Sequence, residues 1–427
     1  MSQEINKAEK QDLSLVVRAI GSDLEHTQVR MIASANADML FHYWKVGHFI
    51  LYLQKKEGWG SKVIDNLSKA IRSKYPDKKG YSRRNIFYMC QFASAYPLEV
   101  LKEMDRIDSL LTTPTVENVL SLTNKLDQIV QQPVALIQAT DNQSNTIMQQ
   151  PVAQLEEVTE TLSTIYHCDI SQIEEVFKHS AIVRTNWASH VILLNSKLPL
   201  GECYWYITQA VANGWSRNVL QVQIETNLFA RQIMAKKVSN FSVRLPKPQS
   251  DLANYLMKDP YIFDMMGQTD KMAERDIERQ LVSHITKYLL EMGSGFAFVA
   301  QQKHFEVGDS DFYADLILYN IQLHAYVVIE LKATPFKPEY MGQLNFYINV
   351  VDDTLRGEHD NKTIGLLLCN GGDNVVAQYA LSGYDQPIGV SDYQLTKAIP
   401  EHLRSTLPSI EEVEEELNKI GYNLFFT

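Results

Sequence analysis

Two segments of this chain carry charge where strands usually carry little. The first is Asp311-Phe312-Tyr313-Ala314-Asp315-Leu316-Ile317-Leu318-Tyr319 and the second is Ala325-Tyr326-Val327-Val328-Ile329-Glu330-Leu331-Lys332. Their apolar, aromatic and β-branched content reads as two strands, joined by a short polar turn around Asn320 to His324. Strand side chains alternate faces, so Glu330 and Lys332 share one face while Val327, Ile329 and Leu331 share the other. A turn symmetric about Gln322 and Leu323 sets Asp315 opposite Glu330 and adds Leu316 and Leu318 to the apolar set. Two carboxylates and one ammonium thus meet from separate parts of the chain.

Like charges directly opposite in a sheet repel, and buried strands rarely hold ionisable groups unless they are paired. A hard divalent cation, Mg²⁺ or Mn²⁺, would resolve the repulsion through carboxylate oxygens. It would polarise a scissile phosphate and lower the pKa of an attacking water. Lys332 would orient that water or stabilise charge on the phosphorane. The chemistry such a set would support is metal-assisted phosphodiester hydrolysis, in which Asp315 and Glu330 would be metal ligands and the Leu331 carbonyl would be a further one. The competing account is a structural ion pair of Lys332 with Glu330 or Asp315 on a sheet surface.

The flanking pattern predicts the elements that must hold these groups. Glu274 to Met292 reads as a helix ended by Gly293. Phe296 to Phe305 reads as a strand ahead of the two charged ones. Pro338 to Val351 reads as a helix and Thr363 to Cys369 as a strand. Helix, three strands, helix, strand describes an α/β domain over 265–395. The region 1–96 is expected to be helical. Leu40, Tyr43, Trp44, Gly47 and Ile50 recur at helical spacing. Gly58-Trp59-Gly60 is a break, Ser61 is placed to cap one helix, and Ser82 another running from Arg83 to Tyr96. Short helices joined by tight turns resemble helix-turn-helix modules. Residues 97–175 read as a Gln-rich connector or insertion, flexible or thinly helical, and 176–250 as a helical continuation. Residues 396–427 read as an acidic tail, with five glutamates between Glu411 and Glu416.

The net charge of −11 argues against generic nucleic-acid binding, but the charge is uneven. Between Lys45 and Cys90 there are eleven Lys/Arg and three Asp/Glu. Within that stretch Lys78, Lys79, Arg83 and Arg84 are candidates for gripping phosphates. A solvated helical face is the plainer account. Trp59, Tyr81 and Phe87 read as core aromatics rather than base-stacking residues. Cys90, Cys168, Cys203 and Cys369 have no close spacing, which excludes a zinc knuckle and fits reduced thiols in a cytoplasmic protein. No stretch approaches 18 uninterrupted apolar residues, so no membrane association is expected.

Asp315 followed after a hairpin by Glu330-Leu331-Lys332 resembles the PD-(D/E)XK nuclease signature. The wider segment, through Phe336-Lys337-Pro338-Glu339-Tyr340 and Gly342-Gln343-Leu344-Asn345-Phe346-Tyr347, resembles bacterial YhcG-type proteins of that superfamily. Ala314 stands where the superfamily name has proline. The similarity covers about 270–395 and extends more loosely to Trp59-Gly60-Ser61 and Tyr81-Ser82-Arg83-Arg84-Asn85. It implies a restriction-endonuclease-like mixed sheet flanked by helices, preceded by an all-α region, acting as a Mg²⁺-dependent endonuclease on DNA. It also implies a glutamate from the first helix, a place that Glu278 occupies on the stripe of Leu281, Val282 and Ile285. Gln343 and Tyr347 match a QxxxY pattern, where they would support the site or touch DNA.

Two further readings remain open at this point. One is a non-catalytic module that keeps a nuclease-like fold for DNA binding or assembly. The other is a scaffold in which the helical part forms homo-oligomers.

Overall fold

The computed structural model describes residues 27–28, 30–54, 62–108, 115–131, 155–264, 285–293 and 295–396. These fall into two compact units. One lies within Met1–Leu110 and Thr123–Thr208, the other within Leu111–Leu122 and Gln209–Thr427.

The first unit is helical. Residues 30–54 form a long helix, followed by Lys62–Lys74, Arg83–Ala95 and Leu98–Asp108, and later by Leu155–Tyr166, Ile170–His179 and Trp187–Ser196. Aromatic rings fill its centre. Trp44 is fully buried and donates from its indole to the Tyr96 carbonyl at 2.7 Å. Phe177 packs against the Trp44 and Phe92 rings. Ser82 caps the helix Arg83–Ala95 as expected, accepting from the Asn85 amide. Its buried side is Ile86, Met89, Cys90 and Ala93. Phe87 falls on the opposite side and is half exposed, so it is not the core aromatic that composition suggested. Trp59, Ser61 and the Gly58–Gly60 break lie outside the described residues.

The stretch 97–175, expected as a connector, contributes helices with buried apolar sides at Val100, Leu101, Met104, Leu126, Leu162 and Ile173. Its Gln-rich part, 132–154, lies outside the described residues, as do 397–427.

The second unit is built on a seven-stranded mixed sheet. Its strands are β1 (Val238–Ser239), β2 (Tyr261–Asp264), β3 (Phe296–Val307), β4 (Ser310–Asn320), β5 (Ala325–Lys332), β6 (Ile364–Cys369) and β7 (Ile388–Thr396). The order is β1-β7-β6-β5-β4-β3, with β2 also paired to β7. β3, β4 and β5 form an antiparallel meander, whereas β5, β6 and β7 run parallel. Parallel neighbours need crossovers. The helix α1 (Tyr340–Thr354) lies between β5 and β6, and α2 (Asn374–Leu381) between β6 and β7. Both neighbours of β7 besides β6 come from sequence ahead of 265, in stretches expected to be helical or irregular. β7 itself was not anticipated, because Gly389, Ser391 and Asp392 interrupt its apolar pattern.

The face bearing Val328 and Leu367 is covered by α1 through Met341, Leu344, Ile348 and Val351, all at zero exposure. This close approach depends on Gly365 in β6. A Cβ there would stand 2.5 Å from Ile348 Cδ1 and 3.1 Å from Leu344 Cγ. Gly365→Ala should therefore destabilise the second unit by about 1–3 kcal/mol, the usual cost of overpacking a tight core. Chemical denaturation of the variant beside the parent checks this.

Candidate active site

The β4–β5 register runs from Asn320 opposite Ala325 to Leu316 opposite Ile329. One more step sets Asp315 against Glu330, as the symmetric turn predicts. Asn320 shapes that turn, its side-chain oxygen accepting from the amides of Gln322 and Leu323. Past Leu316 the pairing of β4 with β5 gives way to contacts between backbone amides and side chains. The Leu331 amide donates to Asp315 Oδ2 at 3.0 Å, and the Asp315 amide makes a longer contact with Glu330 Oε1 at 3.4 Å. Here the partners part company. β4 continues with β3 as far as Val307 and Ser310, while β5 continues with β6 as far as Lys332 and Cys369. The carboxylates stand at this divergence.

Glu330 is completely buried and Lys332 nearly so. Lys332 Nζ lies 3.4 Å from Glu330 Oε2 and 5.6 Å from the centre of the Tyr340 ring. Burial, then the neighbouring Asp315 charge, pushes the Glu330 carboxyl up to about 8; Lys332 pulls the other way without cancelling the effect. α1 brings Gln343 and Tyr347 one turn apart. Tyr347 is buried, and burial raises its hydroxyl against a hydrogen bond from the Gln343 side chain; the charges of Glu330 and Asp315 raise it further. Five of the expected residues therefore form one group: Asp315, Glu330, Lys332, Gln343 and Tyr347. Glu278 lies outside the described residues.

Gln302 also belongs to this group, and the sequence pattern had not singled it out. Its Nε2 donates to Asp315 Oδ1 at 3.1 Å. The signal was present in Val307-Gly308-Asp309-Ser310, a two-residue hairpin turn with Gly308 at φ +62. Counting back from it puts Gln302 across from Asp315.

The donor set suits a hard cation. Two carboxylates face one lysine, an excess of negative charge in a buried place. The Leu331 carbonyl leaves its strand on the same edge as the amide that meets Asp315. Oxygen donors of this kind are what Mg²⁺ or Mn²⁺ prefers. Among the described residues no group of three or more His, Cys, Asp or Glu side chains gathers to hold a metal.

In the first unit Lys78, Lys79, Arg83 and Arg84 are all exposed. Arg83 pairs with Asp65 at 2.9 Å, and Arg84 donates to the Tyr88 hydroxyl at 3.2 and 3.3 Å. Phe87 follows Arg83 by four positions and Arg84 by three, which places it beside them on the helix surface. No described helix is long and apolar enough to cross a membrane.

Residues 254–408 match the family model of the YhcG PDDEXK nuclease domain, and residues 19–113 match that of the DUF1016 N-terminal domain. Both matches, and the relative described next, support a likeness of this chain to the YhcG-type proteins of the PD-(D/E)XK superfamily. An Escherichia coli (strain K12) protein named "Putative nuclease YhcG" is 28% identical over 213 residues, 50% of this chain and 57% of that protein. The match thus spans a little over half the length of that relative. No solved structure matches the chain. Asp315, Glu330, Lys332, Gln343 and Tyr347 all lie inside the nuclease-domain match, and the four basic residues lie inside the N-terminal one.

A carboxyl that holds its proton to about 8 when folded, but ionises near the ordinary value when unfolded, favours the folded state at low pH. That contribution is complete below the unfolded pKa and is lost as pH rises through 8. In EDTA the stability of the second unit should fall between pH 5 and 9, by a few kcal/mol at about 1.4 kcal/mol per pH unit. Glu330→Gln should flatten the fall. Thermal melts across that range, with and without the substitution, measure it; parallel profiles would contradict the assignment.

Proposed function

We propose that this chain is a metal-dependent nuclease that hydrolyses DNA phosphodiester bonds. The observation that carries the reading is the convergence of Asp315, Glu330 and Lys332 at the point where β4 and β5 diverge, with Glu330 buried among them. A sheet surface ion pair would leave these groups in water. Burial instead makes their charges costly unless something else is bound.

Asp315, Glu330 and the Leu331 carbonyl would hold Mg²⁺ or Mn²⁺. The cation would supply Lewis acidity toward the scissile phosphate and make water a better nucleophile near neutral pH. Lys332 is kept straight by Glu330 and the Tyr340 ring, so its charge is already in place before substrate arrives. Preorganised charge of this kind stabilises the oxygens of a phosphate under attack. Tyr347, steadied by Gln343, closes the α1 side of the pair of carboxylates. Glu278 is the residue we assign to complete the carboxylate set.

The helical unit would bind the DNA backbone through Lys78, Lys79, Arg83 and Arg84. The exposed Phe87 beside two arginines supports this, since an aromatic ring among basic groups suits a nucleic acid better than plain solvent. Reversing charge at all four basic residues should weaken binding and reduce its salt slope by about 0.9 for each phosphate that is no longer neutralised. An unchanged slope in filter binding would leave them as a solvated face.

Catalysis and binding separate at one residue. Lys332→Ala keeps both carboxylates, so metal affinity and DNA affinity should change little while cleavage falls roughly 10²–10³-fold. Glu330→Gln should instead weaken metal binding itself. Calorimetry with Mg²⁺, run beside cleavage of a panel of labelled duplex, branched and single-stranded substrates, tells the two apart. Binding without cleavage by the parent protein across the panel would make it a DNA-binding module on a nuclease-like fold.

A further inference from the structure

The environment of Asp315 is more constrained than a bare ligand needs. Its two oxygens are taken by different donors, Oδ2 by the Leu331 amide and Oδ1 by the Gln302 side chain. Gln302 sits in the middle of β3, between Gln301 opposite Leu316 and Lys303 opposite Ala314. Its φ is +44, in the left-handed region that side chains other than glycine and asparagine avoid. β3 also carries a register shift between Phe298 and Ala300, shortly before it. A strand that departs from regular geometry there needs a reason, and such departures gather where a side chain must be aimed.

We propose that Gln302 is a positioning residue that fixes the orientation of Asp315 as a ligand for the divalent cation, an inference that rests on reading the site as a metal centre. Holding a cation between them needs both carboxylates ionised and facing each other, an arrangement that like charges resist and that a fixed partner on Asp315 would maintain. A neutral amide donor holds Asp315 in place without adding a positive charge that would compete with the cation. A carboxylate has about four lone-pair directions, more than these two hydrogen bonds use. Outer partners of this kind set how much reorganisation a ligand needs on binding.

The test uses the full chain and two substitutions chosen for the backbone. Asparagine tolerates positive φ but is one methylene too short to keep the bond to Asp315. Glycine suits φ +44 better than glutamine does and has no side chain at all. Gln302→Asn and Gln302→Gly should keep the parent melting temperature in EDTA, or raise it for glycine. Both should lose about 10-fold or more in Mn²⁺ affinity by calorimetry, as loss of an outer hydrogen bond to a ligand does. In cleavage assays the loss should appear as a higher Mn²⁺ requirement and be largely restored at saturating ion, with KM for DNA unchanged. A merely structural glutamine would instead lower the melting temperature and leave ion affinity alone. Parent-like Mn²⁺ affinity in both variants overturns the proposal, as does a parent protein that binds no Mn²⁺. Asp315→Asn separates the two readings. If it abolishes Mn²⁺ binding in a protein that never cleaves, the nuclease reading fails while the role of Gln302 stands. If the parent cleaves and the Gln302 variants bind the ion normally, only the role of Gln302 fails.

Discussion

The site depends on how one sheet joins an antiparallel half to a parallel one. Here β5 belongs to both halves. Up to Ile329 it is held by β4 and β6 together; beyond that residue it stays with β6, while β4 stays with β3. Where the ladder ends, backbone amides still need acceptors. Asp315 supplies one to the Leu331 amide, and Glu330 lies within reach of the Asp315 amide. The carboxylates are therefore bound up with how the sheet divides, and replacing them would disturb backbone pairing as well as charge.

Burial sharpens the consequence. Glu330 has no access to solvent, and its cationic neighbour Lys332 also touches the Tyr340 ring. In such a place charge is expensive unless balanced, so the site is poised toward whatever positive group can enter. The surrounding pieces maintain that condition. α1 sits tight on the sheet at Gly365 and carries Tyr347 up to the carboxylates. At the far edge, Arg231, Lys258 and Glu291 form a buried network in which Glu291 Oε1 also accepts the Ile262 amide of β2 at 2.9 Å. That network fastens β2, which pairs with β7.

The helical unit rests on a different balance. Its centre is aromatic, and two of its histidines, His48 and His190, are pushed down by burial to about 3 and about 4, leaving them neutral at ordinary pH. Its charge is kept outside, along the Lys78–Arg84 loop and helix start.

Local pattern by itself determined the strands Ala325–Lys332 and Ser310–Asn320, the helix that follows them and the Ser82 cap. Each depends on nearest neighbours in sequence, where alternation and capping act. It also determined the pairing of Asp315 with Glu330, because a two-stranded register follows from the turn. Gln302 was within reach of the same reasoning, applied to the Gly308-Asp309 turn. Other features had no local signal. β1, β2 and β7 are short or interrupted by polar residues, and they are strands because a sheet edge offers them partners distant in sequence. Phe87 looks like core by residue type alone, yet the helix turns it outward because Ile86, Met89 and Cys90 already fill the inner side. The burial of Glu330, and with it the pressure on its charge, was decided only when α1 closed over the sheet. That closure depends on Gly365 in β6 meeting Leu344 and Ile348, a contact between residues that no periodicity links.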